Sequence, residues 1–140
     1  MTQEEKQLLI QDLCARLPYK VKIQRDNCYD SNRKEIGVLT AEHLADDKKR
    51  NIIERLNFKP YLRPMSSMTE EEEQELCNFD DYESISWVDS EEICFKNITI
   101  SFDLYTRIID WLNAHHFDYR GLVPKGLAIA VTKENNPYEN

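Results

Sequence analysis

Tyr19-Lys-Val-Lys-Ile-Gln-Arg25 alternates apolar and polar side chains, the pattern of a strand with one buried face. Directly before it, Leu8, Leu9, Leu13, Cys14 and Leu17 recur at helical spacing, and Pro18 ends the run. Directly after it, residues 26–34 include Asn-Cys-Tyr-Asp-Ser-Asn, a turn-forming stretch. Glu35-Ile-Gly-Val-Leu-Thr40 then reads as a second strand that returns on the first as a hairpin. Strands do not alternate regularly with helices along the rest of the chain, which argues against a doubly wound parallel sheet. The expected class is α+β, with three helices (about 3–17, 69–77 and 104–116) packed on a small, mainly antiparallel sheet.

The first helix has a capping box in Thr2 and Glu5, and its polar face should hold Glu4, Lys6, Gln11 and Asp12. Residues 41–58 read two ways, as one helix or as a loop leading into a strand; the strand is favoured because it runs into Lys59-Pro-Tyr-Leu-Arg-Pro64, which two prolines hold extended. Thr69 and Glu72 repeat the capping-box spacing at the head of a glutamate run, where the helix dipole favours negative charge. Residues 79–91 read as an irregular connection and 92–102 as a strand rich in β-branched and aromatic residues. The last helix should bury Leu104, Ile108, Trp111, Leu112 and His115, and 127–132 reads as a short closing strand. One domain over 1–132 is expected, with 133–140 a flexible tail.

The chain of 140 residues is 41% hydrophobic and has three glycines, too apolar for disorder and too glycine-poor for a phosphate loop or a dinucleotide fingerprint. It has no apolar run long enough to span a bilayer and a polar, acidic N-terminus unlike a secretory signal, so a cytoplasmic location is expected. Cys14, Cys28, Cys77 and Cys94 form no Cys-x-x-Cys pair and read as free, buried thiols. Net charge is −8, unevenly spread: residues 1–65 carry 13 basic and 10 acidic side chains, residues 66–140 carry 5 and 16. Eleven carboxylates and no Lys or Arg lie between Glu70 and Glu92. That balance disfavours nucleic acid and anionic membrane as partners.

Two stretches, residues 59–73 (Lys-Pro-Tyr-Leu-Arg-Pro-Met-Ser-Ser-Met-Thr-Glu-Glu-Glu-Glu) and 111–128 (Trp-Leu-Asn-Ala-His-His-Phe-Asp-Tyr-Arg-Gly-Leu-Val-Pro-Lys-Gly-Leu-Ala), resemble a group of uncharacterised small proteins of gut Bacteroidales, often encoded near phage or mobile-element genes. The resemblance brings no activity, cofactor or catalytic residue; it implies an intracellular bacterial or phage setting, and makes the two stretches worth comparing with each other.

Two candidate sites stand out. Phe79, Tyr82 and Trp87 interleave with Asp80, Asp81 and Glu83 in the acidic block 79–92, combining charge steering with aromatic anchors for a protein partner of basic surface. The plainer reading is a solvated loop whose aromatics cover the core. The alternative site is His115, His116 and Asp118, where imidazoles could move protons or assist a metal while Arg120 holds an anionic substrate. Adjacent histidines at a helix end point about 100° apart, which argues against a shared metal. The plainer reading there packs one imidazole beside Trp111 and sets the other at the helix C-terminus. No resident metal or cofactor is called for. The favoured function is a non-enzymatic, protein-binding accessory role; self-association of the basic first half against the acidic second half is a further expectation.

Overall fold

Thr2 starts the first helix, α1 (Gln3–Arg16), through the expected capping box: its Oγ1 accepts from Glu5 N–H at 3.1 Å and the Glu5 carboxylate accepts from Thr2 N–H at 2.9 Å. A short 3-10 turn (Leu17–Tyr19) follows, ended by Lys20 in the left-handed region at φ 56°. This computed structural model describes residues 2–26, 33–44, 58–78, 85–88, 93–95 and 102–139, with only the backbone at 26, 58, 85–88 and 93–95. The chain divides into two compact units, a first comprising 1–62 and 120–140 and a second comprising 63–119.

The class is α+β. In the first unit, β1 (Lys22–Asp26) and β2 (Lys34–Val38) form the expected antiparallel hairpin. A short helix, α2 (Ala41–Leu44), precedes β3 (Phe58–Leu62), which pairs antiparallel with β1; β6 (Ile129–Ala130) pairs parallel with β3. The strand order is β2-β1-β3-β6. Both readings of 41–58 fall largely on residues outside those described.

Proline within an interior strand needs an explanation, and one hydrogen bond supplies it. Leu39 N–H donates to Val21 O at 2.9 Å on the β1–β2 register, so in the alternating ladder Ile23 turns its backbone groups to β2. Pro60, opposite Ile23 on β3, therefore owes β1 no donor, and pairing with β6 begins only at Tyr61.

The next pair, Lys22 and Tyr61, is bridged by a side chain. Tyr138 Oη accepts from Lys22 N–H at 2.9 Å and donates to Tyr61 O at 2.8 Å, completing a ladder from which a direct bond is missing. Burial drives the Tyr138 phenol pKa well up. The segment read from sequence as a flexible tail is thus held at Tyr138, which packs against a core of Leu9, Leu13, Val21, Ile23, Leu39 and Leu62. Replacing Tyr138 by Phe keeps the ring and removes both bonds; the expected loss is about 1–3 kcal/mol in urea unfolding followed by far-UV circular dichroism. An unchanged midpoint would refute the bridging role.

The face that α1 buries differs from the one expected. Leu9, Asp12, Leu13 and Arg16 are buried and Cys14 is exposed. Asp12 leaves the expected polar face because Arg16 Nε donates to its Oδ2 at 2.7 Å, one turn along, while Arg120 Nε lies 3.3 Å from Oδ1. Paired charge can enter a core where a lone carboxylate could not. The thiol expectation is corrected too: Cys14 is exposed and Cys77 half-buried.

The second unit contains α3 (Glu70–Cys77), the antiparallel pair β4 (Ile85–Val88) and β5 (Ile93–Phe95), and α4 (Phe102–Ala114). Where residues 79–91 were read as irregular, 85–88 form a strand, with a bulge between Ile85 and Trp87. Met65, Met68, Leu76, Leu104, Ile108, Trp111, Leu112 and Phe117 make its core. No helix of the described residues is long and apolar enough to cross a membrane.

Candidate functional site

The two stretches singled out in the sequence meet in the second unit, and Arg63 joins them. Its backbone bridges to the 116–118 segment: Arg63 N–H donates to His116 O at 2.7 Å, and Asp118 N–H donates to Arg63 O at 2.8 Å. Its guanidinium grips Glu72 with two bonds of 2.7 and 2.8 Å, donates to Ser67 O at 3.2 Å, and stands 4.2 Å above the Phe117 ring. Glu72 also closes the α3 capping box, its Oε1 accepting from Thr69 N–H at 3.1 Å. Residue 72 thus ties the helix start to Arg63.

The Arg63 hydrogen bonds, opposed by partial burial and aided by Thr69, hold the Glu72 pKa down at about 2. Because the folded value lies below that of unfolded glutamate, the stabilisation is present at neutral pH and fades as pH falls from roughly 4.3 toward 2. Allowing for the solvent that reaches this pair, about 1–2 kcal/mol is at stake. The Glu72→Gln variant should therefore be less stable than wild type at neutral pH. The gap should narrow at about pH 3, read from urea midpoints; a constant gap would disprove the linkage.

Beyond Phe117 the stack continues to Trp111, with ring centroids 5.7 Å apart, and then to His115 at 4.1 Å. His115 Nδ1 lies 2.9 Å from Trp111 O; a carbonyl only accepts, so this nitrogen carries the proton. His116 has φ 62°, and its N–H donates to Asn113 O at 3.1 Å while Phe117 N–H donates to Leu112 O at 2.9 Å. That pair of bonds is a Schellman motif with histidine in the left-handed position glycine usually fills. Replacing His116 by Gly should relieve backbone strain and stabilise the unit by ~0.5–1 kcal/mol in thermal unfolding; a loss would show the imidazole outweighs it.

The structure therefore places His115 and His116 at one helix end with different roles, His115 stacked and His116 terminating the helix. Asp118 is buried just beyond, and Arg120 belongs to the first unit, beside Asp12. The third histidine, His43, accepts the Thr40 N–H at Nδ1 and caps α2; burial and then Arg25 lower its pKa. Among the described residues no group of three or more His, Cys, Asp or Glu is placed to hold a metal.

Phe79, Asp80, Asp81, Tyr82 and Glu83 lie outside the described residues. Trp87 lies in β4 opposite Cys94, with its side chain likewise outside them. Exposed carboxylates and exposed aromatics are nonetheless present on the described helices. Glu70, Glu71 and Glu75 are exposed on α3. On α4, Phe102 is 91% exposed and Tyr105 54%, with Asp103 and Asp110 exposed on the same helix. Sequence reasoning missed these two aromatics because it took α4 for its buried stripe alone; Phe102, Tyr105 and Ile109 form a second stripe at helical spacing. The second unit carries 14 acidic and three basic side chains, a net of −11, so the charge division follows the division into units. No family model, curated protein or solved structure matches the chain.

Proposed function

We propose that this chain is a non-enzymatic binding protein whose second unit receives a protein partner with a basic surface. The observation that carries the reading is the pair Phe102 and Tyr105, exposed on α4 in a unit of net charge −11. Exposed aromatics among carboxylates supply desolvating anchors, and the surrounding charge speeds encounter with a cationic surface. Residues 79–92, with Phe79, Tyr82, Trp87, Asp80, Asp81 and Glu83, extend the same composition and belong to the proposed surface. The resemblance to Bacteroidales proteins often encoded near phage or mobile-element genes implies an intracellular bacterial or phage setting for that partner.

The test compares wild type with a Phe102→Ser/Tyr105→Ser double variant in pull-downs from nuclease-treated bacterial lysate at low and high salt. A stoichiometric basic protein that wild type retains at low salt, and that both the variant and high salt release, is the expected result. Capture of the same proteins by both forms would overturn the reading, as would the absence of any partner at low salt.

A further inference from the structure

Segment 131–139 is tied to the first unit by a side chain that behaves as a ligand. Val131 N–H donates to Leu62 O at 2.9 Å, extending the pairing of β6 by one residue. Thr132 and Asn135 then bond each other, Tyr138 N–H donates to its neighbour Asn136 Oδ1 at 3.0 Å, and Lys133, Glu134 and Asn135 are exposed. Among the described residues, the polar bonds that join 133–139 to the rest of the unit run through Tyr138. Its phenol enters between β1 and β3 where neither strand is obliged to close. Ile23 and Pro60 exchange no bond, so direct pairing of the two strands begins at Gln24 and Lys59. On the far side, Val21 O accepts from Leu39 N–H and Leu62 O from Val131 N–H, so both turn away from the gap. Lys22 N–H and Tyr61 O face each other across the resulting slot.

We infer that this slot is a binding site for a para-alkylphenol, closed in the folded chain by its own Tyr138 and opened when segment 131–139 lifts. The groups around the slot specify the occupant. One donor, Lys22 N–H, and one acceptor, Tyr61 O, stand 2.9 and 2.8 Å from a single oxygen. A hydroxyl satisfies both from one atom, whereas an ether or an ammonium satisfies only one. Behind that oxygen the ring packs against the core of Leu9, Leu13, Val21, Ile23, Leu39 and Leu62, so the occupant needs an apolar body as well. Tyr61 is held independently of the strap, since Gln24 Nε2 donates to its hydroxyl at 3.1 Å and the residue is 1% exposed. Lifting the strap breaks the two Tyr138 bonds and uncovers one ring, a local opening rather than an unfolding of the unit. Free phenols and tyrosine side chains share the required chemistry, and tethering makes Tyr138 a competitor at about millimolar effective concentration. The slot belongs to the first unit, and its test does not depend on the partner surface proposed for the second.

The test titrates p-cresol, and toluene as its counterpart without a hydroxyl, into the whole chain carrying Tyr138→Ala. Binding is read from the Lys22 amide NMR resonance and from calorimetric melting. The expected result is a saturable shift of that resonance and a raised melting temperature, with p-cresol bound at least ~10-fold more tightly than toluene. Wild type and Tyr138→Phe, whose own rings fill the slot, should need at least ~10-fold more p-cresol than the alanine variant. A peptide of residues 135–140 separates the two sources. Tighter binding of the peptide than of p-cresol marks a tyrosine presented by a chain, and weaker binding marks a free phenol. Closure of β1 on β3 through a direct Lys22–Tyr61 bond would abolish the response to p-cresol and overturn the proposal. Equal affinity for toluene, or equal binding of p-cresol by wild type and the alanine variant, would overturn it too. If the alanine variant is unfolded alone, p-cresol must restore its dispersed amide resonances, and failure to do so counts against the site in the same way.

Discussion

Asp12→Ala is expected to destabilise the first unit by about 3–5 kcal/mol, among the largest effects of any single substitution in it. Asp12 and Arg16 are both fully buried, joined at 2.7 Å, and the same carboxylate lies 3.3 Å from Arg120 Nε. One anion thus serves two cations arriving from α1 and from the 120–126 loop. Removing it leaves the Arg16 guanidinium in the core without the charge that offsets its desolvation. Asp12→Asn keeps the shape and one acceptor, so its cost should be smaller. An Asp12→Leu/Arg16→Met double variant, which removes both buried charges, should recover much of the stability lost by Asp12→Ala. Trp87 and Trp111 both lie in 63–119, so indole fluorescence is blind to this unit, and the measurement is urea unfolding by far-UV circular dichroism. A cost for Asp12→Ala below ~1 kcal/mol would mean that water or other groups already solvate the arginine.

The same pair shows where sequence reading fails. Helix α1 was legible as a helix, since its cap, spacing and terminating proline agree. Its buried face was not, because a buried Asp/Arg pair at i,i+4 looks like an ordinary solvated pair until a third residue, Arg120, is brought up from far along the chain. The β1–β2 hairpin was legible because alternation has a period of two and a turn sits between the strands. β4 was hidden because Ile85, Ser86, Trp87 and Val88 span only four residues beside a bulge, too short for a period to register. The tail read as flexible because it is a chain terminus; a single tyrosine filling a gap in the β1–β3 ladder leaves no pattern in sequence. For the candidate site, the chain yielded the charge division and singled out 59–73 and 111–128 from the rest. It could not yield Arg63 as the residue joining them, because an arginine between two prolines is indistinguishable from surface charge.

Phe117→Ala should cost the second unit about 3–5 kcal/mol, because this ring connects features that otherwise only adjoin. It is fully buried, with the Arg63 guanidinium 4.2 Å from its centroid and the Trp111 ring near-parallel at 5.7 Å. Its N–H also closes the Schellman turn that ends α4. Alanine removes the apolar area, opens a cavity in a core of Leu76, Leu104, Ile108 and Leu112, and takes away the surface on which the guanidinium rests. Phe117→Leu separates these contributions: it retains most of the volume and loses the ring, so its cost should fall to ~1–2 kcal/mol. Trp111 makes the unit visible by fluorescence, and urea titrations read both variants directly. The consequence extends to binding, since Phe102 and Tyr105 ride on the helix that Phe117 terminates. If the partner surface depends on a fixed α4, Phe117→Leu should weaken capture less than Phe102→Ser/Tyr105→Ser does. Equal losses would mean that the unit as a whole, rather than the exposed stripe, governs binding.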